Sequence, residues 1–250
     1  MASMSSLIKI YHSYEGGKDT FISFLNSAAK TLEHHTFILG LHYVKGEIFY
    51  SVHAKPTTYS IFESQFYTHF NDFQIAPDDK GARQFDKSKL VVGELKLVND
   101  RFYPFLMGDD NDSDFIFNFF RSFENFDVIN DRVGFFLELK PMINESMLFF
   151  WKSKLQYMFF KYRLSMQFYK YMFNHKIQKN RKQIGHQYFT HKLQEELYQT
   201  KMYMVVQSQN KSVAESKVRS LFNNFLIFKN YPLNQFDIKV HKDMPMIKSN

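Results

Sequence analysis

The sequence predicts an α+β fold: two tandem β-α-β-β-α-β units, the second opened by a long basic helical hairpin. Three observations predict it. Strand-like and helix-like periods follow one another in the same order twice along the chain. The links between them are short, apart from one. That long link, between Glu145 and Glu195, contains no acidic residue and carries all of the chain's excess positive charge.

The first unit begins with LIKIYHSY (7–14), an alternating apolar run read as a strand. A helix follows, with Asp19 as its expected N-cap. Phe21, Phe24, Leu25, Ala28, Ala29 and Leu32 recur at the i, i+3, i+4, i+7 spacing of one buried face. TFILGLHY (36–43) and EIFYSVH (47–53) then read as a hairpin around Val44-Lys45-Gly46, where glycine tolerates positive φ. Pro56 is expected to end the second of these strands. A helix is predicted from Ser60 to Phe70, with Ser60 and Glu63 placed as a capping box, and FQIAP (73–77) is a short closing strand. This order is that of the ferredoxin-like unit.

After the polar stretch Asp78 to Lys89, read as a linker, the pattern recurs. VVGELKLV (91–98) is a strand, and Asp112 to Phe123 is a helix with Ile116, Phe119, Phe120 and Phe123 on one side. RVGFFLELK (132–140) and KMYMVVQSQ (201–209) are strands separated by the basic block. Ser212 and Glu215 are spaced as a second capping box. Ala214, Val218, Leu221, Phe222 and Phe225 line the helix it would start, and FDIKV (236–240) closes the set. The units are accordingly expected at 1–80 and 88–250, with a helical insertion at 144–196.

Within that insertion Leu148, Trp151, Leu155, Met158, Tyr162, Met166, Tyr169, Phe173 and Ile177 recur by threes and fours, close to a heptad. Gly185 is expected to break the helix, and a return through His191 and Leu193 gives an antiparallel hairpin. Lys and Arg stand at 152, 154, 161, 163, 170, 176, 179, 181, 182 and 192. The whole chain is +7, so the rest is slightly acidic and the positive charge belongs to one element. Such a single-sign stripe attracts polyanions.

Composition narrows the function classes. With 250 residues and 44% hydrophobic content the chain can bury an ordinary core. Its 30 Phe, beside only 9 Gly and 6 Pro, follow the bias of AT-rich codons more than any chemistry. The absence of Cys excludes disulfides, thiol catalysis and cysteine-ligated zinc. No run approaches the roughly 18 apolar residues that cross a bilayer, so direct membrane insertion is not expected.

Catalytic motifs are also missing. Gly16-Gly17-Lys18-Asp19-Thr20 sits where a P-loop would, but His12 stands at the position of its first glycine. Asp110, Asp112 and Asp114 have the alternate spacing of a calcium loop, but Phe115 and Arg121 occupy the positions that need Gly and Glu. His42 and His53 are placed to face each other across the hairpin, where a structural role outweighs metal binding. No cofactor, metal or catalytic residue is therefore expected. The basic helix keeps two readings: an arm whose aromatics pack on itself or on a partner, or a contact for nucleic acid or an acidic surface. Lys170, Lys176, Lys179, Arg181 and Lys182 are the candidates for the anionic contact. Trp151, Leu155, Tyr162, Tyr169 and Phe173 are the candidates for a protein contact or homo-oligomer.

Four segments also resemble a known family in order and separation. They are HTFILGLHYVKGEIFYSVHAKPTTYSIFESQFYTHFNDFQI (35–75), with Glu63-Ser64-Gln65-Phe66-Tyr67 at its core, GELKLVNDRFYPFL (93–106), GFFLELKPM (134–142) and KMYMVVQSQNKSVAESKVRSLFNNFLIFKNYPLNQF (201–236). Together they resemble the region that precedes the ATPase domain in conjugation-type, type IV secretion-like ATPases of the HerA/FtsK class. The P-loop domain of such proteins has no counterpart among these residues. What the resemblance implies is an accessory region that packs against, oligomerises or positions a translocation motor without hydrolysing ATP itself. It further implies a cytoplasmic protein, associated with a membrane only through its ATPase partner.

Overall fold

The computed structural model describes residues 4–10, 18–32, 35–70, 73–77, 85–98, 118–142, single helical positions between 150 and 164, 198–228 and 235–241. Eight strands form one antiparallel sheet in a mixed α+β fold. They are β1 (Met4–Ile10), β2 (Phe37–Val44), β3 (Glu47–Ala54), β4 (Phe73–Pro77), β5 (Leu90–Leu97), β6 (Arg132–Pro141), β7 (Tyr198–Gln207) and β8 (Phe236–His241). Their order is β4-β1-β3-β2-β6-β7-β5-β8. The two halves of the chain meet at the centre, where β2 pairs with β6 from Phe37↔Leu139 to Val44↔Arg132. Outward from that seam each half uses its second, third, first and fourth strands in turn.

Side chains of a strand alternate between faces, so the register divides the sheet into two surfaces. One carries the helices. Helix α1 (Lys18–Leu32) packs on α2 (Pro56–His69), and both cover Phe37, Val52, Ala54 and Leu139. Phe24 sits at the hub, edge-on to Phe62 at 5.4 Å, Phe66 at 5.9 Å and Phe70 at 5.5 Å. Edge-to-face rings of this kind add to what their burial contributes. Helix α3 (Lys211–Asn223) buries Ala214, Val218, Leu221 and Phe222 against Val91, Val133, Met204 and Val206. It lies so close to β5 that a Cβ on Gly93 would stand 2.7 Å from Val218 Cγ1 and 2.6 Å from Ile238 Cδ1. Glycine is required there by the approach of the helix to the strand.

The turns and caps differ from the sequence reading in instructive ways. Lys45 (φ 54°) and Gly46 (φ 82°) alone close β2 to β3, a two-residue turn with both φ positive that matches strand twist. Pro56 starts α2 and does not merely stop β3: its fixed φ suits the first helical position, and the missing N–H there costs no hydrogen bond. The expected capping box is therefore inside the helix, where Ser60 Oγ donates to Thr57 O at 3.0 Å. Asp19 falls within α1. At α3 the cap is Asn210, whose Oδ1 accepts from Val213 N at 3.0 Å, and Glu215 instead pairs with Arg219 at 3.0 Å. β1 starts at Met4, ahead of the 7–14 expected, of which 11–14 lie outside the described residues, and β7 starts at Tyr198, three residues before the run that predicts it. Of the helix expected over 112–123, residues 118–121 are helical and continue as a 3-10 turn at Ser122–Asn125, with Phe119 and Phe123 buried.

Candidate functional site

The second surface of the sheet has no helix on it among the described residues. It is built from Ile38, Gly40 and His42 on β2, Phe49, Ser51 and His53 on β3, Gly134, Phe136 and Glu138 on β6, Lys201, Tyr203 and Val205 on β7, and Val92 and Glu94 on β5. The segment ahead of β5 folds back over part of it. Phe85 packs with Leu90, Val92, Val205, Phe136 and Tyr203, and Gln207 Oε1 accepts from Asp86 N at 2.6 Å.

A polar brace lies at the centre of this surface. Ser51 Oγ is 2.8 Å from His42 Nε2 and 3.2 Å from His53 Nε2. The two histidines do not face each other across the hairpin: His42 opposes Phe49 and His53 opposes Ile38, because they are in different register positions. Ser51 bridges them. With both rings neutral, the single hydroxyl donates to one Nε2 and accepts from the other. His42 is fully buried, stacked on Phe49 at 5.0 Å and edge-on to Phe136 at 5.2 Å. Gly40, opposite Ser51, leaves the space these groups use; a Cβ there would lie 2.8 Å from His42 Nε2. Ser51 is only 1% exposed, so its hydroxyl is held by the imidazoles and is not presented to a substrate.

Towards β5 and β8 the surface becomes ionic. Lys201 Nζ meets Glu138 Oε1 at 2.8 Å, and the hydrogen bond to that carboxylate raises the Lys201 pKa above its ordinary value. Glu94 receives Lys96 and His241, each at 3.3 Å. Burial pushes the Glu94 carboxyl up, but hydrogen bonds from His241 and Lys96, with the Lys96 charge, outweigh it and leave the pKa lowered. Burial raises Tyr203. Rings, imidazoles and paired charges thus share this one surface of the sheet. Among the described residues no group of three or more His, Asp or Glu is arranged to hold a metal ion.

A second polar cluster ties the loop before β6 to α3. Asp131 is fully buried and pairs with Lys217; Ser208 Oγ donates to its Oδ1 at 2.5 Å, and Asp127 N to its Oδ2 at 2.6 Å. Lys217 Nζ also lies 4.9 Å above the Phe126 ring. Asp127 shapes the same loop by accepting from Ile129 N and Asn130 Nδ2, which lowers its pKa, the Asn130 bond acting most. Sequence reasoning missed both Ser51 and Asp131. The first was detectable as a polar residue at an inward strand position beside two histidines. The second has partners 77 and 86 residues away, beyond any local signal.

The residues singled out on the insertion lie outside the described residues: Lys170, Lys176, Lys179, Arg181 and Lys182, and equally Trp151, Leu155, Tyr162, Tyr169 and Phe173. The described positions of that helix are nonetheless informative. Met158, on the stripe that also holds Trp151, Leu155 and Tyr162, is 8% exposed. Phe150, Tyr157, Phe160 and Leu164 are exposed. No described helix is long and apolar enough to cross a membrane.

The core motif of the resemblance is structural. On α2, Gln65 Oε1 accepts from Ser27 Oγ at 2.5 Å and so fastens α2 to α1. Phe66 is buried in the ring cluster, and Tyr67 OH accepts from Ile75 N at 3.0 Å, which anchors β4. No family model matches the chain, and no curated protein is similar to it.

Proposed function

We propose that this protein is a non-catalytic interaction module of a type IV secretion or conjugation-like translocation ATPase, built from two tandem ferredoxin-like units and working by protein–protein contacts. The observation that carries the reading is the fit between resemblance and fold. The four resembling segments fall largely on regular elements: 35–75 spans β2, β3, α2 and the start of β4, 93–106 begins within β5, 134–142 covers most of β6, and 201–236 runs from within β7 through α3 to the first residue of β8. Glu63 to Tyr67 falls on the helix that locks the first half together. A resemblance that tracks folding units, including the residues that fasten them, is the pattern expected of a shared scaffold. The strand order of each half, with its second strand at the central seam, supports the two-unit reading.

In this reading the protein sits in the cytoplasm, held at a membrane only through its motor. The test is reconstitution with a HerA/FtsK-class ATPase from the same cell. A stable complex is expected, with a changed rate of ATP hydrolysis by the motor and none by the chain alone. Hydrolysis by the isolated chain, or no association with such a motor, overturns the reading.

A second reading rests on the acid-free block between Glu145 and Glu195. A stand-alone nucleic-acid-binding protein would use Lys170, Lys176, Lys179, Arg181 and Lys182 on phosphates. Its binding would weaken steeply with salt and disappear on reversal of those charges. A mobility-shift titration at two salt concentrations separates it from the first.

A further inference from the structure

Strand β8 ends the sheet, and among the described residues it pairs only with β5. The ladder fixes which of its backbone groups face outward. Val98 N donates to Gln235 O at 3.1 Å, so Gln235, Asp237, Lys239 and His241 turn their backbone groups to β5. The N–H and C=O of Phe236, Ile238 and Val240 then point to the outer edge. At Ile238 that N–H is held by its neighbour's side chain: Asp237 Oδ1 accepts it at 2.8 Å. A charged group in this place guards an edge against indiscriminate pairing. Side chains divide in the same alternating way. Phe236, Ile238 and Val240 are half-buried against the core under α3, while Asp237 and Lys239 are exposed on the surface away from it.

The order of charges selects the occupant. A second β8 laid antiparallel on this edge, with the two-fold axis through Ile238, sets Asp237 opposite Lys239 on both sides of the axis. These are the positions without ladder hydrogen bonds, where opposing Cα atoms lie about 4.5 Å apart and side chains meet most closely. The hydrogen-bonded positions bring Ile238 to Ile238 and Phe236 to Val240, apolar to apolar. On β5, Lys96 stands opposite Asp237 and Glu94 opposite Lys239. The row across β5, β8 and their copies then reads Lys96, Asp237, Lys239, Glu94, alternating in sign at every step. A slip of two residues either way is the smallest that keeps the outward groups facing. It puts Asp237 on Asp237 or Lys239 on Lys239, and like charges directly opposite oppose it. We propose that the outer edge of β8 binds a second copy of this chain in this register, joining two sheets into one. On pairing, the Ile238 N–H passes from Asp237 to the Ile238 carbonyl of the second copy, and the released carboxylate turns to Lys239 across the axis. A foreign strand would need the same two charges in the same order, and this chain carries them. The proposal goes beyond the accessory-module reading and does not depend on it.

The experiment is sedimentation of the full chain, with amide exchange as its second readout. The wild type is expected to dimerise reversibly at or below about 100 µM. The Ile238 and Val240 amides are expected to exchange more slowly as the dimer fills. Asp237→Lys and Lys239→Asp each set like charges opposite and are each expected to sediment as monomers. Mixed in equal amounts, the two variants restore both attractions, so a dimer is expected from the mixture and from neither alone. Lys239→Ala removes both attractions without adding a repulsion. It is expected to weaken the dimer by about tenfold, within the range of two cross-strand charge pairs, and it decides the question if a reversed chain fails to fold. A wild type that stays monomeric at about 100 µM overturns the proposal. Slowed exchange at Ile238 only on adding a HerA/FtsK-class ATPase would then give the edge to a foreign strand. A dimer that survives both reversals, or that Lys239→Ala leaves undiminished, forms through another surface and overturns it as well. Folded variants that stay monomeric when mixed refute this register.

Discussion

The two halves of the sheet solve the same pairing problem with very different connections. In the first, β2 and β3 pair over Phe37↔Ala54 to Val44↔Glu47 and are joined by Lys45 and Gly46 alone. In the second, β6 and β7 pair over Arg132↔Gln207 to Pro141↔Tyr198, and the connection is the whole stretch 142–197. The second ladder is the longer of the two. Register here is set by which faces are buried, since a one-residue slip would turn Val133, Met204 and Val206 away from α3. The loop is free to be long because closure entropy grows only with the logarithm of its length; this difference costs about 3 kcal/mol. An inserted arm can therefore carry its own interaction chemistry without disturbing the sheet.

The halves also differ in what holds them. The first relies on stacked and edge-on rings around Phe24 and Phe62. The second has rings too, but adds the buried Asp131–Lys217 pair with Ser208. Removing one partner of a buried pair leaves an uncompensated charge. Lys217→Met is accordingly expected to cost about 3–5 kcal/mol, measured as the shift of the urea midpoint. Adding Asp131→Asn should recover much of that loss, because it removes the stranded charge. If the double variant is no more stable than Lys217→Met, the ion pair is not what joins the loop to α3.

Next in size is the connection itself. Replacing residues 143–196 by a two-residue Asn-Gly link should leave the sheet intact and raise stability by up to about 3 kcal/mol, read from chemical denaturation. Loss of folding instead would show that the insertion supplies part of the core, and that the two hairpins are not equivalent.

Much of this fold was legible because the sheet is made of local elements with strong periods. Each strand was visible as an alternating or apolar run, and α1 and α3 as apolar stripes. What was not legible was which strand ends meet at the centre. A trace of it exists: FILGLHYV carries no charged residue, and β2 lies at the centre of the sheet. The helix starts were misread for chemical reasons. Pro56 is a poor strand residue and a good first helical residue, and only the second role is used. Ser60-Glu63 and Ser212-Glu215 have the spacing of caps, but Pro56 and Asn210 start their helices earlier. The brace at Ser51 needed the register of β2 against β3, which pattern alone leaves one residue uncertain. The arm's aromatics were read as one stripe on the Met158 side, while Phe150, Tyr157, Phe160 and Leu164 form a second.

Ser51 sharpens the comparison within the first half. It is the hydroxyl that both His42 and His53 meet, on the surface away from the helices. Ser51→Ala should cost about 1–3 kcal/mol, because a buried hydrogen-bonding position loses its bridge while the volume barely changes. Ser51→Thr, which keeps the hydroxyl, isolates the bonding from the packing. Equal losses for both would mean that space, set by Gly40, limits the site more than hydrogen bonding does.

The smallest effect is expected from Glu94 at the ionic end of the second half. Its folded pKa is lowered, so its contribution is fully present above the ordinary carboxylate value of about 4.3 and is lost as pH falls through the folded pKa. Below that point the carboxyl is neutral and its charge no longer holds the ion pair with Lys96. Glu94→Gln should therefore lower stability at neutral pH by about 1 kcal/mol or less, since the group is partly solvated and screened. It should also flatten the acid limb of the stability curve, bringing variant and wild type together at low pH. Melting temperatures from neutral pH down to about pH 3 decide it. A gap between the two proteins that persists unchanged at the acid end would mean that Glu94 acts through packing against Tyr203 and Lys239, its neighbours in the ladder, and not through its charge.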